Sequence, residues 1–181
     1  MNYDFEFRSR RSNVLSTRGI AASSQPLASL AGLDTLRKGG NAADAAVTVA
    51  AALSVVEPFS TGVGGDCFAL YWDSKTKKVY GLNSSGPAPK SATISAVTSA
   101  GYKKFPLYTG HAVSVPGTVA GWDALLNRFG TLSLRETLEP AIRYALDGFP
   151  VTEWIGSLWK LMAKVLLRDK IDKDLPRHLQ R

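Results

Sequence analysis

The chain has 181 residues, 45% hydrophobic and 20% charged, with a formal charge of +7. Those values suit one ordinary globular domain with its own core. The charge sits at the ends: residues 160–181 carry seven basic and three acidic side chains, residues 1–18 four and two, and the body eleven and ten. No basic stripe runs through the fold, so nucleic-acid binding is not expected.

Residues 1–18 read as a polar leader without the apolar region of a secretory signal. A cytoplasmic location is therefore expected. Gly19–Ala22 reads as a short strand. A helix starts at Pro26, whose missing N–H costs nothing in a first turn. Leu27, Leu30, Leu33 and Leu36 recur at helical spacing as its apolar face, and Gly39–Gly40 stops it. Asn41 then caps a second helix, Ala42–Val56, with Asp44 in its first turn. This helix is too alanine-rich and too interrupted by polar residues to span a bilayer. Its small side chains instead predict close packing on every side, and Pro58 ends it. Glu57 is expected to anchor a loop through a buried hydrogen bond or ion pair.

The segment "STGVGGD" follows a helix and precedes a strand. A phosphate-binding loop needs the opposite order, strand then glycines then helix, so no nucleotide site is expected. Gly62, Gly64 and Gly65 read as residues that let the loop turn tightly and let backbone approach closely, with Asp66 either stabilising the loop through its carboxylate or lying at the surface. A β-hairpin follows, "DCFALYWD" and "VYGLNSS" around the turn "SKTKK", its first strand apolar enough to predict burial on both faces. Cys67 begins that strand and reads as a buried, inert thiol. With one cysteine and two separated histidines, His111 and His178, neither a disulfide framework nor a metal site is expected.

A short helix at "TISAVTSAG" and an extended stretch to Gly117 lead to two helices, "TVAGWDALLNRFG" and "LSLRETLEPAIRYALDGFP". A last helix carries Trp154, Leu158, Leu161 and Val165 at helical spacing, and the Trp154–Trp159 region reads as a packing surface. Residues 169–181 read as a polar, frayed tail, leaving 19–168 as one structural unit.

Five motifs in order carry a family resemblance: Gly39-Gly40-Asn41-Ala42-x-Asp44-Ala45-Ala46, Val55-Val56-Glu57-Pro58, Gly62-x-Gly64-Gly65-Asp66, Val115-Pro116-Gly117, and the two helices after it. Across about residues 18–153 the sequence resembles the N-terminal part of the large subunit of gamma-glutamyltransferases and their hydrolase relatives. The resemblance implies an α+β fold, part of the four-layer αββα N-terminal-nucleophile hydrolase sandwich, incomplete in this chain. It implies a self-cleaving precursor whose freed threonine attacks a gamma-glutamyl amide such as that of glutathione. The α-amino group serves there as base for its own hydroxyl, with no cofactor.

None of the threonines here stands in the family's nucleophile context, so the chain is expected to be an N-terminal fragment that supplies no catalytic residue and is inactive alone. Its implied partners are the remainder of the large subunit, the small subunit, and a gamma-glutamyl or related acyl amide. Membrane binding is not expected; poor solubility or homo-oligomerisation is. By position, Asn83, Ser84 and Ser85 are the substrate-binding candidates, with turn chemistry as their other reading. Transferases of the family carry Arg-Glu where Ser85 and Gly86 stand, and other relatives carry arginine where Pro87 stands. Lys90 is the nearest cation. An acylase for another acidic acyl amide and a non-catalytic partner-binding scaffold are the alternative readings.

Overall fold

The computed structural model describes residues 12–104 and 110–168, with the side chains of 164–168 outside that description. The first eleven leader residues, the tail 169–181 and the Val165 side chain thus lie outside the described residues. Among the described residues six α-helices and a two-stranded sheet follow in the order α1 (Pro26–Arg37), α2 (Ala42–Val56), β1 (Cys67–Asp73), β2 (Lys78–Ser84), α3 (Ile94–Ser99), α4 (Thr118–Phe129), α5 (Leu134–Asp147) and α6 (Glu153–Arg168), with a 3-10 turn at Gly110–Ala112 before α4. Among the described residues Gly19–Ala22 pairs with no strand, contrary to expectation. Extended backbone becomes sheet only when a neighbour completes its ladder.

Side-chain caps set the helix starts. The Gln25 amide oxygen accepts the Leu27 and Ala28 N–H groups ahead of Pro26. The Asn41 side chain accepts from Ala43 and Asp44, while the Asp44 carboxylate accepts the Asn41 N–H in return. Each pairing satisfies donors that have no partner within the helix. Gly39, at φ 96°, turns the chain from α1 toward α2.

Helix α2 is the centre of the fold, with α1 and α5 packed along it and α4 beside it. Its alanines let neighbours approach closely, and α1 answers with its own small residues. Ala28, Ala31, Gly32 and Thr35 form the buried side of α1, and Thr35 bonds Thr48 across the contact. The leucine face expected there is not the buried one: Leu27, Leu33 and Leu36 are partly covered and Leu30 is exposed. A leucine ridge would hold the two axes apart; the small face does not.

Large side chains enter the core from α4. Trp122, Leu125 and Leu126 are buried against Ala43, Val47 and Ala51 of α2 and Ala141 of α5. Each fully buried side chain of that size contributes about 1.5–3 kcal/mol. The hairpin packs on α4 through Cys67, Ala69, Tyr71 and Leu82, with Tyr71 stacked on Phe129. Only this face of the hairpin is covered; Phe68, Leu70, Trp72 and Val79 on the other are exposed. The two-sided burial expected for β1 therefore does not hold. One helix can cover only one face of a two-stranded sheet. In α6, Ile155 is the buried residue, while Trp154, Trp159 and Leu161 form an exposed apolar stretch.

Candidate functional site

Three segments meet at one end of the hairpin. Its antiparallel register pairs Cys67 with Ser84, so the glycine loop entering β1 and the turn leaving β2 lie together. The start of α4 ties them. The Gly65 carbonyl accepts the N–H groups of Gly117 (2.9 Å) and Thr118 (3.2 Å), and the buried Thr118 hydroxyl reaches the carbonyls of Gly62 (3.3 Å) and Asp66 (3.0 Å). On the other side the Ser84 hydroxyl donates to the Gly117 carbonyl at 2.7 Å, and the Val115 N–H donates to the Pro87 carbonyl at 2.9 Å.

Glycine is needed at this crossing. A Cβ on Gly86, which has φ 75°, would overlap the Val115 carbonyl oxygen. A Cβ on Gly117 would overlap the Ser84 carbonyl and stand 2.7 Å from the Gly86 nitrogen. Two backbones thus run in direct contact, which fixes where the end of β2 points.

The sequence-predicted residues fall on different sides of this junction. Asn83 pairs with Phe68 and is exposed on the hairpin's open face. Ser84, one residue on, faces α4, because successive strand side chains alternate. Its hydroxyl is engaged by Gly117. Ser85 leaves the strand, its N–H held by the Asn83 side-chain oxygen at 3.1 Å and its hydroxyl turned to the Gly86 carbonyl at 3.4 Å. Turn chemistry is therefore present alongside any binding role. Lys90 is exposed.

The glycine loop does turn as expected, the Gly65 N–H donating to the Gly62 carbonyl at 3.3 Å, but it departs from its reading in two respects. None of Gly62, Gly64 and Gly65 has a positive φ, and a Cβ on Gly62 or Gly64 would meet nothing within 4 Å. Asp66 is exposed, and its backbone carbonyl rather than its carboxylate is fixed, by Thr118. Glu57 does anchor a loop: it is buried and accepts the Ser24 hydroxyl, joining the end of α2 to the approach of α1. Sequence reasoning missed Gly117 and Thr118 as organisers of the site. The only signal was glycine after proline in "SVPGT", which does not say what it touches.

Cys67 packs at the same end, half-buried, with its thiol against Gly121 of α4. Burial raises the thiol above its ordinary pKa, and the adjacent Asp66 carboxylate adds to the shift. Less thiolate at neutral pH means slow chemistry. Alkylation by iodoacetamide at pH 7.5 is expected to run about tenfold slower than for free cysteine; mass spectrometry of timed samples reads it, and a faster rate would contradict the burial.

Among the described residues no three His, Cys, Asp or Glu side chains gather where they could hold a metal ion, and every buried side-chain nitrogen or oxygen is hydrogen-bonded. The larger concavities are lined by other elements: about 550 Å³ between α1 and α5, and about 750 Å³ beside residues 15–19. The hairpin end offers amide, hydroxyl and backbone groups, with the exposed Asp66 carboxylate at its margin.

Residues 28–175 match the family described as Gamma-glutamyltranspeptidase. The chain belongs to the gamma-glutamyltranspeptidase family. It is 46% identical over 141 residues to the glutathione hydrolase-like YwrD proenzyme of Bacillus subtilis, covering 77% of this chain and 26% of that protein. Among solved structures, the cephalosporin acylase from Bacillus halodurans superposes with a TM-score of 0.85 at 44% identity, over 96% of this chain and 33% of its own. The gamma-glutamyltranspeptidase of Helicobacter pylori gives 0.79 at 33% identity, over 88% and 46%. The helices and small sheet described above are thus an incomplete α+β portion of a gamma-glutamyltranspeptidase-type fold. The chain spans about a quarter of the length of the curated relatives it matches. Among the described residues no helix is long and apolar enough to cross a membrane.

Proposed function

We propose that this chain forms one wall of an acyl-amide hydrolase site, the part that the N-terminal portion of the large subunit contributes in gamma-glutamyltranspeptidases. The observation that carries the reading is the junction of Ser84–Gly86 with Gly117–Thr118. It holds the end of β2 and the glycine loop in one fixed arrangement. Preorganised donors and acceptors of this kind orient a substrate at little entropic cost. Asn83 and Ser85 are the substrate-facing residues in this reading, and Ser84 is a positioning residue through its bond to Gly117.

The reaction needs a nucleophile that no threonine of this chain matches. We therefore expect the chain alone to release no nitroaniline from gamma-glutamyl-p-nitroanilide above the buffer rate. Turnover that disappears when one of the chain's own side chains is replaced would overturn the reading.

The acyl group is the second question. Residues 83–89 contain no cation, so nothing there offers the bidentate grip that a guanidinium gives a glutamyl α-carboxylate. Together with the likeness to a cephalosporin acylase, this favours an acidic acyl amide whose carboxylate stands at a different distance from the scissile carbonyl. In a polypeptide joining this chain to the remainder of a large subunit and a threonine-bearing small subunit, a succinyl or adipyl anilide should then outpace the gamma-glutamyl one. The reverse order would return the reading to glutathione-type substrates. A cytoplasmic location is part of the same reading, and cell fractionation tests it.

A further inference from the structure

Helix α4 starts without a side-chain cap, because its N-cap is Gly117. The first N–H groups of a helix have no partner within it, and here the glycine loop supplies one. The Gly65 carbonyl takes the N–H groups of both Gly117 and Thr118, at 2.9 and 3.2 Å. The helix holds the loop in return through a side chain. Thr118 is the first residue of α4 and is 2% exposed. Its hydroxyl lies 3.3 Å from the Gly62 carbonyl and 3.0 Å from the Asp66 carbonyl. The carbonyls of Gly62, Gly65 and Asp66 therefore all converge on one threonine.

A hydroxyl carries one proton, so the Gly62 and Asp66 carbonyls share it, and the shorter contact is the one nearer the hairpin. The Asp66 carbonyl belongs to the planar peptide unit that ends at the Cys67 nitrogen, and Cys67 pairs with Ser84. Tilting that plane shifts the first rung of the hairpin. The other strand of the same rung is held by Gly117, whose carbonyl accepts the Ser84 hydroxyl. Asn83 and Ser85 flank Ser84 directly. Both strands at the hairpin end are thus set by two adjacent residues of the α4 start, Gly117 through its backbone and Thr118 through its side chain. These bonds join parts of this chain to one another, whatever covers its outer faces.

We propose that Thr118 is a positioning residue for the acyl site: its hydroxyl fixes the loop carbonyls so that the end of β2 presents Asn83 and Ser85 to the acyl group in one orientation. The proposal rests on the reading of the site given above. A group that sets geometry rather than affinity acts on kcat. A displacement of about 1 Å costs up to about 100-fold in rate, while the contacts that hold the bound substrate, and with them KM, are largely kept.

Thr118→Val and Thr118→Ser separate the hydroxyl from the volume. Valine keeps the shape and deletes the donor; serine keeps the donor and deletes a methyl group. Both are made in the polypeptide that joins this chain to the remainder of a large subunit and a threonine-bearing small subunit, and turnover of an acyl anilide is measured per folded, cleaved molecule. Thr118→Val is expected to lower kcat by about 10- to 100-fold with KM within about threefold of the parent. Thr118→Ser should recover kcat to within about threefold. Native-state hydrogen exchange on the present chain is the second measurement. In Thr118→Val the Gly65 N–H, bonded to the Gly62 carbonyl at 3.3 Å, should exchange about tenfold faster or more, with the α2 amides unchanged. An unaltered kcat in Thr118→Val, a loss confined to KM, an equal loss in Thr118→Ser, or unchanged exchange at Gly65 would each overturn the proposal. So would loss of protection throughout α2, which would make Thr118 a residue of general stability. If the unsubstituted polypeptide turns over no acyl anilide, the reading of the site itself falls, and the proposal with it.

Discussion

Replacing Gly86 with alanine is expected to destabilise the chain by about 4 kcal/mol, the sum of two penalties of about 1–3 kcal/mol each. The first is conformational, since φ 75° is strained for any residue with a Cβ. The second is steric, since that Cβ would overlap the Val115 carbonyl oxygen, which is backbone and cannot rotate away. Gly117→Ala should cost about 2 kcal/mol through the steric penalty alone, because its φ of −109° is allowed for alanine. Gly64→Ala is the control: nothing lies within 4 Å of its Cβ position, and its midpoint should move by about 2 °C or less. For a chain of this length the Gly86 change corresponds to a fall of about 10 °C in the thermal midpoint, read by circular dichroism. Equal midpoints for Gly86→Ala and Gly64→Ala would mean that the two backbones do not cross as described. In the site, the same substitution would swing the end of β2, and with it Asn83 and Ser85.

The second large effect is at Asp44. Its side chain is fully buried, yet it accepts four donors from two parts of the chain. These are the Asn41 N–H at 2.8 Å, the Thr131 hydroxyl at 2.7 Å, the Thr131 N–H at 3.0 Å and the Leu132 N–H at 3.1 Å. The carboxylate thus caps α2 and fastens the α4–α5 connection onto it. Asp44→Ala leaves several buried donors without an acceptor and is expected to cost about 3–5 kcal/mol. Asp44→Asn preserves shape but loses the charge and one acceptor, and should fall between that variant and the parent. A loss of less than 1 kcal/mol for Asp44→Ala would show that water or a rearranged loop replaces the carboxylate.

The same carboxylate sets an acid dependence. Burial by itself opposes ionisation of Asp44, but the bonds from Thr131, Asn41 and Leu132 outweigh it and hold the group below its ordinary value of 3.8. A folded pKa below the unfolded one gives stability that is fully present above the unfolded pKa and is lost as pH falls through the folded one. Stability should therefore drop below about pH 4. The exposed Glu136, lowered by its bonds to Ser133, titrates in the same range, so the Asp44 share is read as the part of the acid slope missing from Asp44→Asn.

Much of this was legible beforehand, for reasons that are local. Gln25-Pro26, Asn41-x-x-Asp44 and the glycines after α1 and α5 act within a few residues of themselves, so their helices begin and end where the sequence places them. The hairpin is equally local: Asp73 holds the Lys75 N–H and the Thr76 hydroxyl in the turn that reverses the chain. The motif order also identified the family without any coordinates. At the candidate site, the sequence put Asn83, Ser84 and Ser85 at the end of a strand, and the strand's alternation then divides them between two faces.

What the sequence by itself determined is therefore the helices and the hairpin, their caps and the family, because each depends on neighbours along the chain or on motifs in order, whereas a strand at Gly19–Ala22 needed a partner that is absent among the described residues. Only the tertiary structure decided which face each element buries. α1 turned its alanines rather than its leucines inward because α2 offered a surface of matching smallness, and β1 left half its apolar side chains exposed because, among the described residues, α4 is the helix packed on the hairpin and it covers one face. The crossing of Gly86 with Gly117 and the grip of Asp44 on Thr131 belong to the same class. Both join residues far apart in sequence, and side-chain types alone carry no record of which distant backbone will lie against them.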